Sequence, residues 1–475
     1  MKNSLDVVSL INSLSPHEKS YFQKFSNIYN KNDKIYLHLF EYISKMKHYD
    51  ESILKSNFES VYASNFGMLK EQLYDKILMA LVMYNKELNV ENLIFKWVEE
   101  GKVLQRKGLL KQANKKFKKA LEHSIKYERF YLILNIFSHL KAIVIHNLYE
   151  NIDIDDINDL LKNEELYIEI IVNLQKLNNS QFMYYFYESK SNDQAMQKIA
   201  NSDLIQDWER YPTFVEKSIC LNILSHNYEN LQDYEKSLNF LQKHIELFEC
   251  NLSVLKEYYF NYLLQKFNYI SLLIKINSIE EAKKIIQDFE LKKPKKQYHK
   301  LFFSLYYSNL LLIDCMQIRF NDFLIHYNEM ILAYNSINQK CPTRMYSMVN
   351  YYKVVLCFNN SEFKLVLKDI NIYINQTTND DSLNTSFIIL AVLCFIELRD
   401  FHTLKMFLVS FKKELKYLKK QHSKEFFFIN RLVENAVHEK LDSNFMAQYE
   451  IEVSKINKIM YPFDLNYFIR KRGLN

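Results

Sequence analysis

Residues 93–125 read LIFKWVEEGKVLQRKGLLKQANKKFKKALEHSI, and the spacing inside this stretch decides the fold. Trp97, Gly101 and Leu104 return at three- and four-residue steps, and so do Ala113, Phe117 and Ala120. That period describes two amphipathic helices, with Arg106-Lys107-Gly108 between them. A small residue midway along the first helix lets the second approach closely. On the second, small Ala113 and Ala120 flank large Phe117, so the pair can interlock. The twelve-residue step from Gly101 to Ala113 sets the two small residues opposite one another.

Working outward, the same arrangement returns in looser form. Small Ser225 stands twelve residues before small Ser237, inside Asp233-Tyr234-Glu235-Lys236-Ser237. Ser278-Ile279-Glu280-Glu281-Ala282 repeats the start of a second helix, and Phe320-Asn321-Asp322-Phe323, Ser361-Glu362-Phe363 and Arg399-Asp400-Phe401 continue the series. The leading apolar residues Tyr234, Ile279, Phe320, Phe363 and Phe401 lie 45, 41, 43 and 38 residues apart. Leu110 precedes Tyr234 by 124, close to three such intervals. The expectation is an all-α chain: an α-solenoid of antiparallel helix pairs with an irregular period near 41 residues.

Composition agrees. The 475 residues include only 4 Gly and 5 Pro, where average usage of about 12 % would give nearly 60. Sandwiches, propellers, dinucleotide folds and glycine-loop phosphate sites need many residues at positive φ, which four glycines do not supply. The 35 Tyr and 34 Phe provide bulk suited to the space between helices. A soft change in patterning near residue 90 divides an N-terminal helical cap, 1–90, from the array, 91–475. In the cap, Ser15-Pro16-His17-Glu18 marks a helix start, and further helices are expected from Ile35, across Ile53–Val61 and across Leu69–Tyr84. The acidic run 152–165 reads as a loop followed by a helix whose first turn accepts carboxylates. Loops are expected at 201–212, 291–296, 339–342 and 375–381.

Trp97, Gly101, Ala113, Phe117 and Ala120 match the tetratricopeptide repeat in identity and spacing, and the segment resembles that family. It departs at Glu100, Leu104 and Ile125, where the repeat has Leu, Tyr and Pro. The resemblance is good over 93–125 and looser over 215–410. The opening run Leu14–Phe25 is similar to the start of uncharacterised helical-repeat proteins from Bacteroidota. A period near 41 over 475 residues gives ten to twelve helix pairs including the cap, and what the resemblance implies is non-catalytic scaffold or adaptor work, with a protein or peptide held in a groove lined by the first helices. Phe95, Val98 and Lys102 would then form the wall of that groove. A clamp for a peptide carboxylate needs Lys and Asn there, and only Lys102 has that chemistry, so an apolar groove is expected, with filled core as the alternative for Phe95 and Val98.

No cofactor, metal or catalytic residue is expected. The thirteen histidines form no H-E-x-x-H, and His139 and His146 lie two turns apart. Asp153–Asp159 lacks the central Gly of a calcium loop. The six cysteines, without C-x-x-C spacing, read as reduced, mostly buried thiols. No G-x-S-x-G is present, which leaves an enzyme only a site assembled from distant residues. Net charge is +6, and lysines crowd Lys102–Lys126 and Lys412–Lys424. Nucleic acid is therefore the alternative partner, although mixed charge in the later helix starts argues for plain solvated surface. The N-terminus lacks a signal-peptide pattern and Phe387–Leu398 is too short to span a bilayer, so a cytoplasmic chain without membrane contact is expected.

Overall fold

A computed structural model describes residues 6–29, 34–46, 66–84, 89–146, 154–190, 192–291, 298–337, 339–376, 381–410, 431 and 460–464. Among these the fold is all-α, with no strand. The expected helix at 53–61, the loop residues 292–296, the lysines of 412–424 and Asp153 lie outside the described residues.

Contacts divide the chain into two compact units, 1–192 with 207–219 and 193–206 with 220–475. The first contains α1 (Asp6–Ser13), α2 (Pro16–Tyr29), α3 (Lys34–Lys45), α4 (Phe66–Tyr84), α5 (Val90–Arg106), α6 (Leu110–Lys126), α7 (Phe130–His146) and α8 (Ile154–Ser189). The second opens with α9 (Asp193–Ala200) and α10 (Asp203–Gln206), and the boundary then runs through α11 (Phe214–Asn230). It continues with α12 (Tyr234–Glu249), α13 (Leu252–Glu257), α14 (Tyr259–Lys275), α15 (Ile279–Leu291), α16 (His299–Met316), α17 (Phe320–Ser336), α18 (Thr343–Asn359), α19 (Phe363–Gln376), α20 (Asp381–Glu397) and α21 (Phe401–Ser410). The patterning change near residue 90 falls inside the first unit, between a core spanning Val7–Ala80 and a separate one spanning Ile94–Ile170.

Local chemistry sets the helix ends. At α2 the Ser15 hydroxyl accepts from the Glu18 N–H while the Glu18 carboxylate accepts from the Ser15 N–H, a reciprocal cap. Asn89, Asp233 and Asp400 cap α5, α12 and α21 through side-chain oxygens that accept from the N–H of the third residue on. Asp155 and Asp156 occupy the first turn of α8, which runs on for 36 residues.

The corners between helices share one geometry. Gly108, Gln232, Asn277, Ile318, Ser361 and Arg399 all have positive φ, between 52° and 74°, and each stands two residues before the next helix begins. The residue after each donates its N–H to the carbonyl five back: Leu109 to Leu104, Asp233 to Tyr228, Ser278 to Leu273, Arg319 to Asp314, Glu362 to Cys357 and Asp400 to Phe395, at 2.8–3.0 Å. This is the Schellman closure, which satisfies carbonyls a helix end leaves open. The scarcity of glycine therefore does not make left-handed residues scarce: they recur at the corners, and five of these six are not glycine. The closing hydrogen bonds hold them there against an intrinsic penalty of about 1–2 kcal/mol each.

In the second unit the helices before and after each corner differ in burial. Helices α14, α16, α18 and α20 pack on one another as well as on their sequence neighbours. Every residue from Phe387 to Ile396 of α20 is buried, and so are Tyr351, Tyr352 and Val354–Phe358 of α18. Helix α17 buries only Phe323, Met330 and Tyr334. A single core joins these elements from Leu263 to Phe463. No described helix is long and apolar enough to cross a membrane.

Candidate functional site

The first unit carries an apolar groove of about 980 Å³ lined by α4 and α5, with Gln112 and Lys116 of α6. Leu78, Val82 and Met83 form one wall, and Phe95, Val103 and Leu104 the other. Val82 is 67 % exposed, Phe95 44 % and Val103 43 %, so both walls are open to solvent rather than closed as core. The charges at the rim are matched in place: the Lys116 ammonium lies 2.6 Å from the Glu100 carboxylate. Glu99, also in the lining, accepts from Lys102 at 2.9 Å, and this bond is the main reason the Glu99 carboxyl titrates below its ordinary range. Between these ionic groups the groove offers a partner mainly apolar contact.

Of the three residues expected on the wall, Phe95 lines the groove, Val98 is buried at 4 % exposure in the Ile94–Ile170 core, and Lys102 sits beside Glu99. Val98 follows Trp97 by about 100° around the helix, a rotation still covered by neighbouring helices. Trp97, Gly101, Ala113, Phe117 and Ala120 are all buried where α5 meets α6. The side chain nearest Gly101 is Phe117: a Cβ at Gly101 would stand 2.7 Å from Cε1 of that ring. Phe117 cannot easily give way, because its other side stacks on His139 with centroids 4.8 Å apart. Burial in turn lowers the His139 pKa.

The α4 wall had a weak sequence signal. Leu78, Met79, Leu81, Val82 and Met83 are apolar on every side of the helix, more than one core face can absorb. Two lysines of α6 contact α5. Lys116 pairs with Glu100, and the Lys119 ammonium lies 4.4 Å from the Trp97 ring centroid, a cation–π contact.

Elsewhere, buried polar groups serve the fold. Both Glu128 oxygens accept N–H groups at the start of α11, from Phe214 at 2.7 Å and Val215 at 2.8 Å. Burial raises its pKa and that of Glu216, whose carboxylate accepts the Thr213 hydroxyl. Asp314, with no solvent exposure, holds Arg319 and His326 at 2.7 and 2.6 Å, and the bond from Asp314 raises the His326 pKa. None of the six cysteines is in a disulfide, and four of them are buried. Burial drives the Cys357 and Cys341 thiols up to about 11, away from nucleophilic thiolate. Among the described residues no three His, Cys, Asp or Glu side chains converge as a metal site would require. Compared with known proteins, the chain matches no family model and no curated protein.

Proposed function

We propose that the protein is a non-catalytic interaction scaffold, built as a tetratricopeptide-like solenoid of antiparallel helix pairs, that receives the apolar face of a partner protein segment between α4 and α5. The observation that carries this reading is the solvent-open apolar walls of Val82, Phe95 and Val103 beside the Glu100–Lys116 ion pair. An amphipathic helix or an extended peptide with two or three apolar anchors suits such a surface.

The recurring corner supports the repeat architecture, and so does the order of contacts across each pair. Glu100 meets Lys116 while Trp97, earlier on α5, meets Lys119 and His123, later on α6. Asp314 meets His326 while the earlier Ser304 meets the later Tyr334. Lys353–Asp369 and Phe358–Phe363 keep the same order on α18 and α19. Each is the progression expected of antiparallel neighbours.

The test is affinity capture from lysate of the source organism, with and without nuclease, comparing the natural chain with Val82→Glu/Val103→Glu. A nuclease-resistant protein partner retained by the natural chain and lost by the variant is the expected result. Recovery of nucleic acid alone, or a partner held equally by both chains, would overturn the reading.

A further inference from the structure

The inner helices of the second unit are crossed by a segment of the same chain from far along the sequence. Met460 and Phe463 are buried in the unit's core, Tyr461 and Pro462 are partly exposed, and Asp464 is exposed. The segment closes on itself through the Phe463 N–H, which donates to the Met460 carbonyl at 2.8 Å. That carbonyl also accepts the buried Tyr351 hydroxyl of α18. The Phe463 ring meets Phe358, two turns along α18, edge-on at 5.1 Å. The Lys275 ammonium at the end of α14 lies 6.0 Å from the Tyr461 ring. Cys315 of α16 donates to the Tyr352 carbonyl and contributes to the electrostatic surroundings of Tyr461. One short segment thus touches or adjoins α14, α16 and α18, held by two buried anchors and one backbone hydrogen bond.

The geometry points to this seat as a peptide-binding site whose resident ligand is the chain's own Met460–Phe463, so that a peptide that makes the same turn and carries the same apolar and aromatic anchors binds there when the resident segment is displaced. Its contacts are of the kind that hold a bound peptide: a side-chain donor to a backbone carbonyl and buried places for two anchors three residues apart. One detail marks an imperfect fit. The Tyr461 hydroxyl is shielded from solvent and has no hydrogen-bond partner. A ligand with Phe at that position avoids the cost of stripping water from the hydroxyl. This site is separate from the α4–α5 groove, and neither depends on the other.

The probe is a fluorescein-labelled peptide of residues 458–466, titrated by anisotropy into the full-length chain and into full-length Met460→Ala/Phe463→Ala. A resident segment competes at high effective concentration. The expected result is peptide binding to the variant at least tenfold tighter than to the natural chain. A peptide carrying Tyr461→Phe should bind the variant several-fold tighter again, and one carrying alanine at both anchors should not bind. A variant of normal helical content that binds the natural peptide no better than the alanine control overturns the proposal, as does equal binding by variant and natural chain. Should the variant fail to fold, hydrogen exchange of the natural chain decides. Amides of Tyr461 and Phe463 exchanging at least tenfold faster than those of Leu390–Cys394 support a displaceable ligand, and equal protection overturns it.

Discussion

The corner between α5 and α6 and the corner between α16 and α17 close with the same hydrogen bonds and differ in the residue that turns. Gly108 takes the left-handed position in the first and Ile318 takes it in the second. The helix contacts differ in the same way. Where α5 meets α6, Gly101 makes room for the Phe117 ring. Where α11 meets α12, the buried Ser237 hydroxyl donates to the Ser225 carbonyl at 2.8 Å, bridging the same twelve-residue step with a polar bond. The difference teaches that the backbone geometry is the repeated object and the glycines are only one way of filling it. A repeat becomes recognisable in sequence where the cheapest residue happens to occupy each special position.

The first way to break this comparison is steric. Gly101→Leu would drive side-chain atoms into Phe117 and should cost about 3 kcal/mol, read as a lower urea midpoint at unchanged slope. An unchanged midpoint would show that the close approach carries no weight.

Acid should separate the two units next. His244, in the buried stripe of α12, is desolvated so that its pKa falls from 6.5 to about 3. Its contribution is complete above the unfolded value near 6.5 and is lost as pH falls toward about 3, the loss reaching about 2 kcal/mol at pH 5. Glu128 and Glu216 in the first unit carry the opposite sign. Their raised values favour the folded state at low pH, and that contribution fades as pH rises through the folded value. Lowering pH from 7 to 5 should therefore speed hydrogen exchange in α12 more than in α6 and α7. His244→Leu should remove the difference.

The polar version of the contact predicts a smaller effect. Ser237→Ala should cost about 1 kcal/mol by thermal or urea unfolding, because it removes one buried hydrogen bond without creating a clash. Smallest of all, changing Lys111, Lys115, Lys118 and Lys119 together to Gln should cost under about 1 kcal/mol, most of it from Lys119 above Trp97.

The period was legible because it depends on large apolar residues. Tyr234, Ile279, Phe320, Phe363 and Phe401 are the first residues of α12, α15, α17, α19 and α21, so the intervals read from sequence are those of the helix starts. The corners were not legible. Ile318 and Arg399 are not turn-forming residues, and their conformation is imposed by closing bonds to Asp314 and Phe395. Gly101 announced a close approach, but which residue filled the space depended on the stacking of Phe117 against His139 on a third helix. The groove was half visible. Phe95 is an apolar residue left exposed on a patterned helix, whereas the opposing wall lies on α4, a helix of a separate core that no local pattern links to α5. The seat of Met460–Phe463 joins residues more than 100 positions apart, beyond the reach of any local pattern.

The most direct test of the shared corner is a reciprocal exchange, Ile318→Gly in one chain and Gly108→Ile in another, each compared with the natural protein by urea unfolding. Nothing lies within 4 Å of a Cβ built at Gly108, and Ile318 is largely exposed, so the left-handed backbone itself dominates both changes. Ile318→Gly should stabilise the chain by about 1 kcal/mol and Gly108→Ile should destabilise it by about as much. Two neutral substitutions, or two of the same sign, would contradict a common left-handed corner.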